Sequence, residues 1–256
     1  MAFATTKDKI LYIFFGFFVA NAVIAELISV KLFDFGQVVG LPKDTYIMAL
    51  GLLPWPIVFL ATDALNEFYG KKVVRQLSIV TSCLLLYVFF IIWLVNGMEA
   101  WNHQDVLQAE LLKKNPGITW AEMQKVLRLP GVTNTEFSAA YAQSGFLIFG
   151  SVTAFLIGQF VDITLFSVFK RVTKGKYIWL RATGSTVISQ FVDTFIVIGI
   201  GFYLPGYVTG EQYWNMILTG YFIKLLFAVS LTPLIYVVHY TMKKVFKLES
   251  VTYEKA

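Results

Sequence analysis

"GFLIFGSVTAFLIGQFVDITLFSVFK", residues 145–170, reaches its first basic side chain only at its last position and carries a single carboxylate on the way, Asp162. A mostly apolar window of about 20 residues is long enough, as a helix, to cross roughly 30 Å of hydrocarbon. The hexapeptide I-x-Q-F-V-D inside it, at 157–162, returns 31 positions later at 188–193 as "ISQFVD", again within a long apolar run. Five further windows of the same kind lie at about 9–33, 45–66, 75–96, 179–204 and 213–240. Six windows predict an all-α integral membrane protein with six transmembrane helices, because a helix satisfies its own backbone groups in lipid. Barrel strands alternate apolar and polar residues, and these runs do not.

Composition agrees. Hydrophobic residues make up 57% of the 256, and only 14% are charged. Soluble domains carry about 25% charged residues. The net charge of +5 raises nucleic acid as a partner, but its distribution reads as topology. Placing both termini in the cytoplasm puts 14 of the 21 basic residues on the cytoplasmic side, among them Lys71, Lys72, Lys170, Lys174, Arg181 and Lys243. Five lie outside (Lys43, Lys113, Lys114, Lys125, Arg128), and Lys31 and Lys224 fall within spans. This positive-inside bias predicts both termini cytoplasmic and no role with nucleic acid. Cys83 is the only cysteine, so neither a disulfide framework nor a thiol metal cluster is expected. Lys7 and Lys9 ahead of "VANA" at 19–22 resemble a signal peptide, but the apolar run continues to Phe33, and the segment reads as the first span.

The chain reads as one membrane domain, 1–256, with an extracytoplasmic loop at 97–144. That loop predicts two short amphipathic helices broken at Pro116-Gly117 and Pro130-Gly131, with Trp101 and Trp120 at the interface. Pro54-Trp55-Pro56 interrupts the second window near its midpoint, predicting a kink or unwound turn of the sort found where helices line a cavity.

The polar residues within the windows are the candidate site. Gln159 and Asp162 share a helix face. In the fifth window Ser185, Thr186, Ser189, Gln190, Asp193 and Thr194 occupy one half of the wheel, opposite Val187, Ile188, Phe191, Val192 and Phe195. Lys224 lies near the middle of the sixth window, Asn21 and Glu26 lie in the first, and Asp63 and Glu67 are four apart in "TDALNEFYG". A charge at a helix centre costs roughly 2.5–3.5 kcal/mol on insertion scales, while an interhelical polar contact contributes about 0.6 kcal/mol. Helix glue alone does not account for so many ionisable groups. A hydrated polar chamber does.

An intramembrane enzyme using Asp63/Glu67 as a magnesium pair is the competing chemistry, but no convincing second acidic cluster accompanies it. His103 and His239 belong to no H-E-x-x-H pattern, and neither a G-x-S-x-G elbow nor a Walker loop occurs. No cofactor or metal is called for.

"PWPIVFLATDALNEFYGKKVVR", "YIWLRATGSTVISQFVDTFIV" and "YFIKLLFAVSLTP", with the opening stretch, resemble the queuosine precursor transporter family, also described as a vitamin-uptake family. The resemblance implies import of 7-deazaguanine bases such as 7-cyano-7-deazaguanine (preQ0) or its aminomethyl relative (preQ1) for tRNA modification, across the cell inner membrane. It also implies a fold similar to the substrate-binding components of energy-coupling-factor transporters. A self-sufficient carrier and a binding subunit served by an ATP-driven partner both remain open, as does a homo-oligomer. A guanine-like edge presents two parallel donors that one carboxylate accepts together. Asp162 or Asp193 suits that role. Gln159, Gln190, Asn21 or Lys224 suits the carbonyl, and Trp55, Phe59 or Tyr221 the ring face.

Overall fold

The computed structural model describes residues 5–29, 31–38, 40, 47–98, 104–127, 134–141 and 145–251. Trp101, His103 and Pro130-Gly131 lie outside the described residues. The chain forms two compact units, Met1–Leu86 with Ser144–Ala256, and Tyr87–Gln143. The described residues are helical apart from one short antiparallel strand pair.

Helix α1 (Thr6–Ile28) starts at a capping box, in which Thr5 Oγ1 accepts from the Asp8 amide and Asp8 Oδ2 accepts from the Thr5 amide. It ends before Lys31, which therefore lies beyond the first helix and not inside a span as expected. Strands β1 (Leu32–Asp34) and β2 (Ile47–Ala49) pair with Phe33 opposite Met48, and the short helix α2 (Phe35–Val38) lies between them. A 3-10 turn, Leu50–Leu52, leads into α3 (Trp55–Tyr69).

Here the sequence expectation needs correction. The two prolines do not kink the middle of a long helix; they open a short one. Pro54 caps α3 and Pro56 sits in its first turn, where the missing N–H would have had no partner in any case. At 15 residues α3 is about 22 Å long, too short to cross the hydrocarbon by itself. Gly51 makes the entry possible. A Cβ there would stand 2.3 Å from the Ala25 carbonyl oxygen, so only glycine lets the turn press against α1.

Helix α4 (Lys71–Asn96) follows directly after Gly70. In the second unit come α5 (Gln104–Lys114), α6 (Trp120–Leu127) and α7 (Asn134–Tyr141), three short helices where two were expected. Pro116-Gly117 separates α5 from α6 as anticipated. Thr119 caps α6, its backbone and hydroxyl both donating to Glu122, which holds that carboxyl below its ordinary range. Ser138 of α7 donates to Asn96 Oδ1 at 2.6 Å.

Helices α8 (Gly145–Val172) and α9 (Ile178–Ile198) form a tight hairpin. Small residues let the two backbones approach: a Cβ on Gly158 would lie 3.2 Å from Asp193 Cβ. This is the packing expected where apolar burial does not drive helices together. A π turn (Gly199–Tyr203) extends α9, and α10 (Gly210–Ser230) begins at a Thr209/Gln212 capping box. The expected sixth span is divided at Leu231, after which Pro233 opens α11 (Thr232–Tyr240). Five stretches, carried by α1, α4, α8, α9 and the α10–α11 pair, are long and apolar enough to cross a membrane.

Burial follows the wheel drawn from the sequence. On α9, Ser185, Ser189, Gln190 and Thr194 are buried, whereas Ile188, Phe191 and Phe195 are more than two-fifths exposed. Polar residues inside and aromatics outside make sense when the surrounding medium is lipid.

Candidate functional site

Helix α3 supplies the spine of the site. Trp55, Phe59, Asp63 and Glu67 recur every fourth residue, so they form one stripe, aromatic at the start of the helix and acidic toward its end. The first three line a cleft, faced across by Thr186 and Gln190 of α9 and Lys224 of α10. The break between α10 and α11 contributes Phe227 and Leu231 to the same cleft. The Trp55 ring lies 5.9 Å from Phe59 and 5.3 Å from Phe155 of α8, giving a fixed aromatic wall.

Polar atoms in a protein interior are normally satisfied, because leaving one bare costs about 1–3 kcal/mol. Two cleft residues depart from that rule. Asp63 Oδ1 and Gln190 Nε2 are buried and have no hydrogen-bond partner, one an acceptor and the other a donor. The cleft thus presents an aromatic wall, an open carboxylate oxygen and an open amide N–H.

The other candidates are placed as follows. Asp162 is buried on α8 and accepts from Ser189 Oγ at 3.1 Å and Thr186 Oγ1 at 3.4 Å, both from α9. Asp193 pairs with Lys224 at 2.5 Å, joining α9 to α10. The two Q-F-V-D elements do lie on adjacent helices, yet their carboxylates meet different partners, and neither is among the cleft-lining residues. Gln159 is buried with both amide atoms unpartnered. Glu26 Oε1 accepts from Ser151 Oγ at 2.6 Å. Asn21 donates to the Phe17 carbonyl of its own helix at 2.8 Å and is not among the cleft-lining residues. Tyr221 meets Phe191 edge-on at 5.5 Å, also apart from the cleft.

Glu67 is held differently from Asp63. Its oxygens lie 2.8 Å from Lys170 Nζ and 2.9 Å from Arg181 Nη2, so two cations from α8 and α9 converge on one carboxylate. Arg181 is 2% exposed, donates to the Gly175 carbonyl at 2.7 Å and lies over the Phe166 ring. Reading Lys170 and Arg181 only as topology signals missed this cluster. Their spacing from the "TDALNE" segment gave no hint, since the three helices meet only in the fold. Among the described residues no group of three or more His, Cys, Asp or Glu side chains is placed to hold a metal ion.

Comparison with known proteins gives the same family that the motifs suggested. The family model described as "Putative vitamin uptake transporter" matches residues 49–238. A Bacillus subtilis protein named "Probable queuosine precursor transporter" is 30% identical over 199 residues, 76% of this chain and 71% of that protein. A Haemophilus influenzae protein of the same name is 23% identical over 188 residues, 71% of this chain and 63% of the relative. No solved structure matches the chain. With its apolar helices and this match across most of its length, the chain is a multi-pass membrane protein belonging to the vitamin uptake transporter family.

Proposed function

We propose that this protein imports queuosine precursors, 7-deazaguanine bases, through the cleft between α3, α9 and α10. The observation that carries the reading is the pair of open polar atoms beside an aromatic wall, Asp63 Oδ1 and Gln190 Nε2. A guanine-like base offers their complement. Its N1–H and exocyclic amine donate to the Asp63 carboxylate, its carbonyl oxygen accepts from Gln190, and its flat ring packs against Trp55 and Phe59. Asp63 thereby takes the role that the sequence suggested for Asp162 or Asp193, each of which has one carboxylate oxygen engaged by a neighbouring helix and neither of which lines the cleft. The names of the two relatives support the same cargo.

In this reading the 45–66 segment completes a sixth crossing. Both termini face the cytoplasm, residues 97–144 face outward, and the membrane is the cell inner membrane. The six-helix arrangement is then of the energy-coupling-factor type.

The test is equilibrium binding of 7-cyano-7-deazaguanine and of a 7-deazahypoxanthine analogue lacking the exocyclic amine, to wild type and Asp63→Asn. The substitution turns an acceptor into a donor facing a donor, at a cost of about 1–3 kcal/mol, or roughly tenfold in affinity per 1.4 kcal/mol. The guanine-like base should lose at least tenfold and the analogue much less. Equal losses would move Asp63 from recognition to structure.

A further inference from the structure

Three contacts set the register of α9 against α10. A Cβ on Gly220 would lie 3.5 Å from Thr194 Cγ2, Lys224 Nζ donates to Asp193 Oδ2, and the hydroxyls of Thr183 and Thr232 are 2.9 Å apart. The two elements therefore run antiparallel, and the cleft between them has two ends. Thr183, Thr186 and Gln190 line it from α9, and Lys224, Phe227 and Leu231 from α10, each set at helical spacing. Asp63 belongs to the end at Ala182 and Ile235, because a second cavity is lined by all three. Lys224 belongs to the other end, since its partner Asp193 is one turn beyond Gln190 on α9. Asp63 and Lys224 are the charged side chains among the residues that line the cleft, and they stand at opposite ends of it.

Resting on the base-binding reading of the cleft, we propose that Lys224 determines specificity at the 7-position of the base, admitting a neutral nitrile and rejecting an aminomethyl ammonium. The pose follows from the covalent structure of the ligand. On a 7-deazaguanine the donor edge, the carbonyl oxygen and the 7-substituent follow one another around the rings. With the donor edge at Asp63 and the carbonyl at Gln190, the 7-substituent points past Gln190 to Lys224. Lys224 is paired with Asp193, yet the pair is oriented. Its ammonium lines the cleft, whereas Asp193 and Glu26, two carboxylates within electrostatic reach of it, do not. One of the three ammonium N–H groups is donated to Asp193. A nitrile nitrogen, the negative end of its bond dipole, accepts from another. An alkylamine titrates at about pH 10, so the aminomethyl group is a cation at neutral pH. It would meet a like charge away from bulk water, where repulsion is strong and poorly screened. Turning that base around to bring its ammonium to Asp63 would take the donor edge and the carbonyl from their partners. Selection at this position therefore rests on charge and not on size.

The experiment measures equilibrium binding of three bases to the purified full-length chain at about pH 7: 7-cyano-, 7-aminomethyl- and 7-hydroxymethyl-7-deazaguanine. The hydroxymethyl base is the neutral counterpart of the aminomethyl base at nearly the same size. Wild type should bind the cyano and hydroxymethyl bases with similar affinity and the aminomethyl base at least tenfold more weakly. In Lys224→Met/Asp193→Leu, which removes the pair without stranding a charge, the aminomethyl base should come level with the hydroxymethyl base, whatever affinity both have lost. Equal binding of these two bases by wild type overturns the charge selection and leaves the base site standing. So does a hydroxymethyl base as weak as the aminomethyl one, which would mean selection by shape. A gap that persists in the double variant removes Lys224 from the role. Failure of wild type to bind any of the three overturns the base site itself. The wild-type comparison needs no variant, so it decides the charge selection even where the double variant does not fold.

Discussion

Lys224 and Asp193 are joined across α10 and α9 at 2.5 Å, and Lys224 at the same time lines the cleft beside Gln190. The pair sits largely out of solvent, with side chains 13% and 19% exposed. Removing one member strands the other, which typically costs about 3–5 kcal/mol, whereas replacing both with apolar groups is often neutral. Lys224→Met should therefore lower the unfolding temperature of the purified protein, and adding Asp193→Leu should restore most of it. Both proteins should be impaired in base binding, because the cleft has lost its cation. A single variant as stable as wild type in a thermal scan would falsify the stabilising role of the pair.

Glu67 should prove structural in its effect, in contrast to Asp63. Glu67→Gln leaves Lys170 and Arg181 without their shared countercharge, and Arg181 is almost wholly buried. The expected loss is about 3–5 kcal/mol, read from unfolding of the solubilised protein. Asp63→Asn should cost little stability, because its open oxygen makes no bond that the substitution breaks. Reversal of that order would reject the assignment of the two carboxylates.

Asp162→Asn should leave base discrimination intact. The side chain is committed to Ser189 and Thr186, so its replacement disturbs the α8–α9 seam and not the cleft edge. Competition between 7-cyano-7-deazaguanine and the analogue lacking the amine should show any affinity loss shared equally by the two. A selective loss of the guanine-like ligand would return the reading of the base to Asp162.

Gly51→Ala should be far more damaging than its size suggests. The new methyl group would stand 2.3 Å from a backbone carbonyl oxygen of α1, and backbone yields less readily than a side chain. Overpacking of this kind costs about 1–3 kcal/mol. Gly117→Ala, with open space around it, serves as the neutral control. Equal unfolding temperatures for the two variants would show that the turn can move away from α1.

The charge distribution of the sequence predicts the topology. A reporter active only in the cytoplasm should be silent when fused at Asn115 and active at Gly175. Activity at Asn115 would invert the proposed orientation of the 97–144 segment.

Much of this protein was legible in its sequence, because lipid imposes a simple rule on a chain. Apolar runs such as 145–170 must be helical, and the wheel of residues 185–195 foretold which side chains of α9 are buried. The family motifs were equally local, being short strings that survive without knowledge of the fold. What a linear reading could not supply was pairing between helices. Asp162, Asp193 and Asp63 look alike as carboxylates in apolar surroundings. Only packing shows that the first meets two hydroxyls and the second a lysine, while the third keeps an open oxygen beside Trp55 and Phe59. The same holds for Pro54 and Pro56. Their chemistry forbids a regular helix interior, but it does not say whether the chain kinks there or begins afresh. The close approach of Gly51 to α1 decided that, and the short helix it permits carries the cleft-lining aromatics and Asp63 on one stripe. Hydrophobicity acts on each residue separately and can be read along the chain, whereas a hydrogen bond or an ion pair needs two partners that only the tertiary structure brings together.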